Sequence, residues 1–276
     1  MSLKFAVVIP AKNAARFIET AIASAIGQSH RPEVVVVVEN GSTDGTLKIA
    51  RRVARQAPDR IIVASLLRAN TANARNFGIQ RAIDLVKPDA IAFLDADDFW
   101  HRDKLKCEAQ VFRANPCIGL AYSFSDFVSI GGDSLFRGNE IPYEGFVFED
   151  LFKRFFLENG SSFSVRAFIF KLFPFKEPFN PLYTCAADLD FCLRVSNLSP
   201  FGCTKSVGTY YRQHTQQATR TCLVMQRSCS IAILRKHAKF SGAEHLLPEA
   251  IERVEQYIEE REGERRAARR LANYGV

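Results

Sequence analysis

Asp95, Asp97 and Asp98 fall within four positions, directly after the apolar run Ile91–Leu94. Carboxylates this close repel one another unless a positive partner sits among them. The D-x-D spacing suits a hard divalent cation. Mg2+ or Mn2+ takes oxygen ligands, keeps several waters and shares the phosphate oxygens of a substrate. In an extended turn Asp95 and Asp97 can point to one side, one toward a ribose hydroxyl and the other toward the metal. The bland reading is a solvated acidic turn.

Two other polar segments also close apolar runs. Pro10-Ala11-Lys12-Asn13 follows Phe5–Ile9, and Glu39-Asn40-Gly41-Ser42-Thr43-Asp44-Gly45 follows the valines 34–38. A carboxylate closing a buried valine strand needs a hydrogen-bond donor, and Glu39 would find one in a pyrimidine N–H. The glycine-bounded turn after it is equally ordinary as a loop and helix cap.

Four short apolar runs must position these ends: 5–9, stopped by Pro10, then 34–38, 60–67 and 90–94. Continuous β-branched runs suit strands covered on both faces. Helical patterns over 14–26, 43–55 and 73–86 lie between them, the second opening on Ser42-Thr43-Asp44. A β-α-β-α-β-α-β order predicts a parallel, Rossmann-like α/β sheet with right-handed crossovers. Ligands in such sheets sit beyond the carboxyl ends of the strands, where all three polar segments fall. Further on, helices are expected at 103–115 and 188–196, strands at 118–130 and 209–212, and two closing helices split near Ser241-Gly242. The irregular stretch 159–203 carries little further periodicity.

The chain has 276 residues, of which 47% are apolar, enough for a large core. It has no apolar run long enough to span a bilayer and no signal-peptide pattern at its start, so the expected location is cytoplasmic. Its seven cysteines are scattered without a C-x-x-C pair, which predicts reduced thiols and no zinc site. Lys and Arg number 37 against 30 Asp and Glu, a net charge of +7 that favours an anionic partner. No nucleic-acid motif accompanies that charge. Arg265, Arg266, Arg269 and Arg270 either belong to a solvated Glu/Arg helix or touch anionic lipid at the inner membrane face. Phe152, Phe155, Phe156 and Leu157 read as core sooner than as a lipid groove.

Taken together, V-V-I-P-A-K-N at 7–13, V-V-E-N-G-S-T-D-G-T at 37–46, A-R-N-F-G-I at 74–79 and F-L-D-A-D-D-F-W at 93–100 resemble glycosyltransferase family two, with its GT-A fold. Lys104-Leu105, A-A-D-L-D-F-C-L-R at 186–194 and Y-Y-R-Q-H at 210–214 continue the likeness in the family's order. The chain departs from the family pattern in having Glu39-Asn40 for two aspartates and Ala187 for a glutamate.

The resemblance implies an inverting, metal-dependent transferase using a nucleotide-activated sugar, with UDP as the expected nucleotide. It places Pro10, Ala11, Asn13, Glu39 and Arg75 around the nucleoside, and Asp95 at the ribose, with Ala96 in the same turn. It places Asp97, joined by His214, on Mg2+ or Mn2+, and Asp188 as general base. His214 is otherwise a loop histidine with a local hydrogen bond. Asp190 reads as a structural partner of Arg194, and Trp100 as packing or a sugar-stacking ring. The implied acceptor is a glycan, lipid-linked or surface-polymer precursor. The expected division is a catalytic part at 1–215, made of a nucleotide-sugar half (1–100) and an acceptor half (101–215), followed by a helical extension at 216–276. A catalytically silent nucleotide- or membrane-binding relative is the alternative. A sugar nucleotidylyltransferase is disfavoured because its glycine-rich opening is missing after the first strand.

Overall fold

Successive valines of Val34–Val38 enter two different cores, as a strand covered on both faces requires. Val34, Val36 and Val38 belong to one apolar cluster, Val35 and Val37 to the other. All five are buried, each contributing about 1.5–3 kcal/mol. The structure, a computed structural model, describes residues 2–67, 70–173 and 177–273, with the backbone alone at 218, 219 and 265–273. The arginines of the basic tail therefore lie outside the described side chains.

The first half alternates strand and helix. It runs β1 (Phe5–Ala11), α1 (Ile18–Ile26), β2 (Val34–Asn40), α2 (Thr46–Ala54), β3 (Ile61–Leu66), α3 (Thr71–Val86), β4 (Ala90–Phe93), β5 (Phe99–Trp100) and α4 (Lys104–Ala114). The second half holds β6 (Leu120–Val128), β7 (Ser134–Arg137), α5 (Phe148–Lys153), β8 (Phe163–Arg166), α6 (Ala167–Leu172), α7 (Ala187–Leu198) and β9 (Phe201–Arg212). Helices α8 (Ala218–Thr221), α9 (Leu223–Ser241) and α10 (Leu247–Asn273) close the chain.

Strands β3-β2-β1-β4 are parallel, as their sequence runs predict. The sheet continues as β8-β6-β9-β5, with β7 beside β6. This half is mixed: β8 opposes β4 and β6, β9 runs parallel to β6, and β5 opposes β9. Helices α1, α2 and α4 cover one face, and α3, α5, α7 and α9 the other. The phenylalanine-rich helix region is core: Phe152, Phe156 and Leu157 are buried and Phe155 packs against them. Among the described residues no helix is long and apolar enough to cross a membrane.

Pro10 does not stop β1, which runs on to Ala11. The carbonyl of Phe5 accepts from Glu33 on the β2 side, and that of Val8 accepts from Leu94 on the β4 side. Pro10 shares the direction of Val8, and pairing with β4 ends opposite Val8. Its missing N–H therefore costs no ladder bond. Helix α1 begins at Ile18, later than its apolar spacing suggests, because Asn13 adopts φ 50 and residues 13–15 bond to the 42–46 loop. Helix α2 likewise starts at Thr46, with Asp44 accepting from its backbone N–H at 2.9 Å. Gly78 lets α3 lie directly on the sheet: an added Cβ would stand 2.4 Å from Val8 Cγ1.

Helix α7 is tied to α9 through Asp190. This buried carboxylate accepts from Arg194 at 2.9 Å, as i,i+4 spacing predicts, and also meets His237 at 3.1 Å and Lys236 at 3.4 Å. Burial pushes its pKa up, but the His237 hydrogen bond and the charges of Arg194 and Lys236 outweigh burial and hold it below the usual carboxylate range. A folded-state pKa below the unfolded one stabilises at neutral pH, and that stabilisation is lost as pH falls through the folded value. Asp190→Asn is therefore expected to cost about 3 kcal/mol at pH 7. Urea unfolding should show the gap from wild type narrowing below about pH 4.

Candidate active site

The carboxyl ends of β1, β2 and β4 lie side by side on one rim, because these strands are parallel neighbours. The β2 end is stitched to the β1 end. Asn13 Oδ1 accepts from the Thr43 N–H at 2.8 Å, and the Asn13 N–H donates to Ser42 Oγ at 3.0 Å. Glu39 is buried at the base of this loop. One oxygen accepts from the Ser42 N–H and the other from Ser65 Oγ at 2.7 Å. Burial raises its pKa, but these hydrogen bonds and the charge of Arg51 bring it below the ordinary value. The loop itself thus supplies the donors that the sequence leaves open. Pro10, Ala11 and Ala96 are buried, Ala11 and Ala96 within the α1-side core.

The turn after β4 gives each carboxylate a different partner. Asp95 Oδ1 accepts from Arg75 Nη2 at 2.7 Å. Asp97 Oδ2 meets His214 Nε2 at 3.0 Å. Asp98 is fully buried and accepts from Ser161 Oγ at 2.6 Å and from the Arg212 N–H at 3.0 Å. Burial and the charges of Asp97 and Asp95 push Asp98 well above the usual carboxylate range. The Asp98 N–H donates to the Asp95 carbonyl at 3.1 Å, closing 95–98 as a tight turn. Arg212 donates to the Asp97 carbonyl at 2.8 Å, with its guanidinium over the rings of Phe17 and Phe99. The Phe17 ring also packs on His214, with centroids 4.9 Å apart. Trp100 packs beneath the turn, donating from Nε1 to the Ser161 carbonyl at 2.8 Å, with Lys104 over its ring.

Arg75 reaches the rim from α3 and is buried. Burial opposes its charge, but Asp95 and Asp188 outweigh burial and raise its pKa. Its guanidinium lies 5.2 Å above the Phe179 ring, and Asn76 holds Phe179 by both backbone groups, at 2.7 and 2.9 Å. Gly160 makes room for it: a Cβ there would stand 2.2 Å from Arg75 Nη2. Asp188 sits in the first turn of α7, half-buried, beyond Ala186 at φ 60. It lies within electrostatic reach of Arg75 and Asp95. Among the described residues no group of three or more His, Cys, Asp and Glu is arranged to hold a metal by itself.

The structure thus brings Arg75, Asp95 and Asp188 together, sets Asp97 against His214, and joins Asn13 to the loop above Glu39. Sequence reasoning passed over Asn76, Gly160, Ser161 and Arg212. Asn76 and Arg212 stand inside recognised motifs beside Arg75 and His214. Gly160 and Ser161 lie in the aperiodic stretch, where no sequence signal marks them.

The architecture is the GT-A type. It matches the crystal structure of S. aureus TarS 1–349 in complex with UDP-GlcNAc at a TM-score of 0.60, covering 93% of this chain and 82% of that one at 15% identity. The chain belongs to glycosyl transferase family 2, whose model matches residues 6–176. It is 39% identical over 107 residues to the amylovoran biosynthesis glycosyltransferase AmsB of Erwinia amylovora, covering 38% of this chain and 34% of AmsB. It is 32% identical over 120 residues to an uncharacterized glycosyltransferase of Nostoc, covering 44% of this chain and 36% of the relative. It is 26% identical over 193 residues to chondroitin synthase of Escherichia coli, covering 70% of this chain and 26% of the synthase. The chain spans about a third or less of the length of these relatives.

Arg75 is the positive partner that lets Asp95 ionise in a buried turn. Burial already lifts the Asp95 pKa above the usual carboxylate value, and Arg75 works against that lift. Arg75→Met is expected to raise it further. Carboxyl-carbon NMR titration of Asp95 checks this, and an unchanged or lower midpoint would show that the pair carries no charge coupling.

Proposed function

We propose that the chain is an inverting, metal-dependent glycosyltransferase. It moves a sugar from a nucleoside-diphosphate sugar, UDP being the expected nucleotide, to a glycan, lipid-linked or surface-polymer acceptor. One observation carries the reading: the Arg75–Asp95 pair at 2.7 Å and the Asp97–His214 pair at 3.0 Å share one turn, and Asp188 at the start of α7 is near enough for its charge to act on Arg75 and Asp95. The UDP-GlcNAc complex of TarS and the amylovoran and chondroitin roles named for the relatives point the same way. In this reading 1–100 hold the donor, 101–215 the acceptor, and 216–276 form a helical extension.

Asp97 Oδ2 and His214 Nε2 stand 3.0 Å apart. Asp97 would supply an oxygen and His214 a nitrogen to the expected Mg2+ or Mn2+, a mixed pair that suits Mn2+ better than the strictly oxygen-seeking Mg2+. When bound, the ion supplies positive charge where the departing diphosphate gathers negative charge.

The chain's own residues do the rest. Asn13 and the loop over Glu39 bound the nucleoside together with the backbone of Pro10, Ala11 and Ala96. Arg75 occupies Asp95 Oδ1, which leaves Oδ2 to a ribose hydroxyl. Asp188 takes the proton of the acceptor hydroxyl as its oxygen attacks the anomeric carbon. The bond from that carbon to the diphosphate oxygen breaks on the opposite face, so the configuration inverts. Arg75 and Arg212 keep positive charge near the leaving group in a partly buried site, where it acts strongly.

Asp188→Asn is expected to lower transfer and UDP-sugar hydrolysis by about 100-fold or more. The rise in melting temperature given by UDP with Mn2+ should be retained, since that rise reports the donor site. Unchanged turnover would remove Asp188 as base. A wild-type chain stabilised by UDP and Mn2+ but without turnover on any acceptor would favour the silent relative.

A further inference from the structure

We propose that Ser161 is a positioning residue that braces the 95–98 turn in the shape that binds the donor and its metal. The inference rests on the donor-site reading above and adds to it a residue distant in sequence. Ser161 sits just before β8, 63 to 66 positions from the groups it holds. Its hydroxyl accepts from the Asp95 N–H at 2.9 Å and donates to Asp98 Oδ2 at 2.6 Å. One oxygen atom thus bridges the first and last residues of the turn, opposite the Asp98 N–H to Asp95 carbonyl bond.

Ser161 is itself held from three sides. Its N–H donates to Asn159 Oδ1 at 3.0 Å, and Asn159 Nδ2 donates to Ser125 Oγ on β6 at 2.8 Å. Its carbonyl accepts from Trp100 Nε1 at 2.8 Å and from Thr209 Oγ1 on β9 at 3.2 Å. These bonds connect the brace to β5, β6 and β9, so the mixed half of the sheet fixes the turn carried by the parallel half. Ser161 and Asp98 are both fully buried. With the hydroxyl gone, no bulk water is at hand to replace it, and the Asp95 N–H and Asp98 Oδ2 lose their partner. Three carboxylates within four positions then favour other turn conformations. A ligand that binds one conformation loses apparent affinity in proportion to the population lost. The neighbouring Gly160 belongs to the same brace, since its missing side chain leaves the space that Arg75 fills beside Asp95.

The test uses the full chain, UDP and MnCl2. Calorimetric titration of Ser161→Ala should show UDP binding about tenfold weaker at limiting Mn2+, with a higher Mn2+ half-saturation and far-ultraviolet circular dichroism unchanged. Ser161→Thr keeps the hydroxyl and should restore affinity to within about threefold of wild type. If Ser161→Ala does not fold, Ser161→Cys replaces it, because a thiol is a weak donor and acceptor; the same tenfold loss is expected. Binding by folded Ser161→Ala or Ser161→Cys within about twofold of wild type would overturn the brace while leaving the donor site standing. Equal loss in the Ala and Thr variants would also overturn it, because the hydroxyl would then not be the cause. A wild-type chain that binds no UDP with Mn2+ would instead overturn the donor-site reading, and the brace with it.

Discussion

The structure depends on orienting three carboxylates within four residues, one of them, Asp98, fully buried. Left alone, charged carboxylates this close would repel and splay apart. The fold answers by giving each one a partner from a different element. Asp95 takes Arg75 from α3, Asp97 takes His214 from beyond β9, and Asp98 takes Ser161 from before β8 and the backbone of Arg212. None of these partners is close to the turn in sequence, so the turn acquires its shape only when both halves of the sheet have assembled. The mixed half therefore helps to shape the rim at the carboxyl ends of the parallel strands.

The rim is also tied laterally. Asn13 and the 42–46 loop interlock, and Phe17 packs on both His214 and the Arg212 guanidinium. The loop after β1 therefore touches the 42–46 loop and the Asp97–His214 side at once. On the far edge, Asn76 fixes Phe179, over whose ring Arg75 lies. Arg75 is thus placed by an aromatic contact, a carboxylate and a glycine gap, which leaves a long side chain little freedom.

Much of the parallel half was legible in the sequence because burial on two faces writes itself as unbroken apolar runs. The starts of β2 and β4, the partnership of Asp190 with Arg194 and the break at Gly242 follow from such local rules, while β2 runs two residues past its valines to Asn40. Pro10 misled because proline is costly only where a ladder bond is needed, and bond direction depends on neighbours that the local sequence does not show. β8 escaped notice because it has four residues and pairs on both sides with strands of opposite direction. Ser161 and Gly160 escaped because their partners lie tens of residues away and leave no period. Glu39 was read as needing an external donor, yet Ser42 and Ser65 already occupy both its oxygens. Base recognition at this rim would therefore work through the loop as a unit.

If the 95–98 turn and His214 form one side of a metal-linked diphosphate site, as proposed, they must take up Mn2+ together with UDP. Electron paramagnetic resonance of Mn2+ tests it most directly, by counting free ion as UDP is added to wild type, Asp97→Ala and His214→Ala. UDP is expected to drive Mn2+ onto the wild-type chain, and each substitution to weaken this uptake by about tenfold or more. Equal Mn2+ uptake by all three proteins, or no uptake by wild type at any UDP concentration, would contradict it.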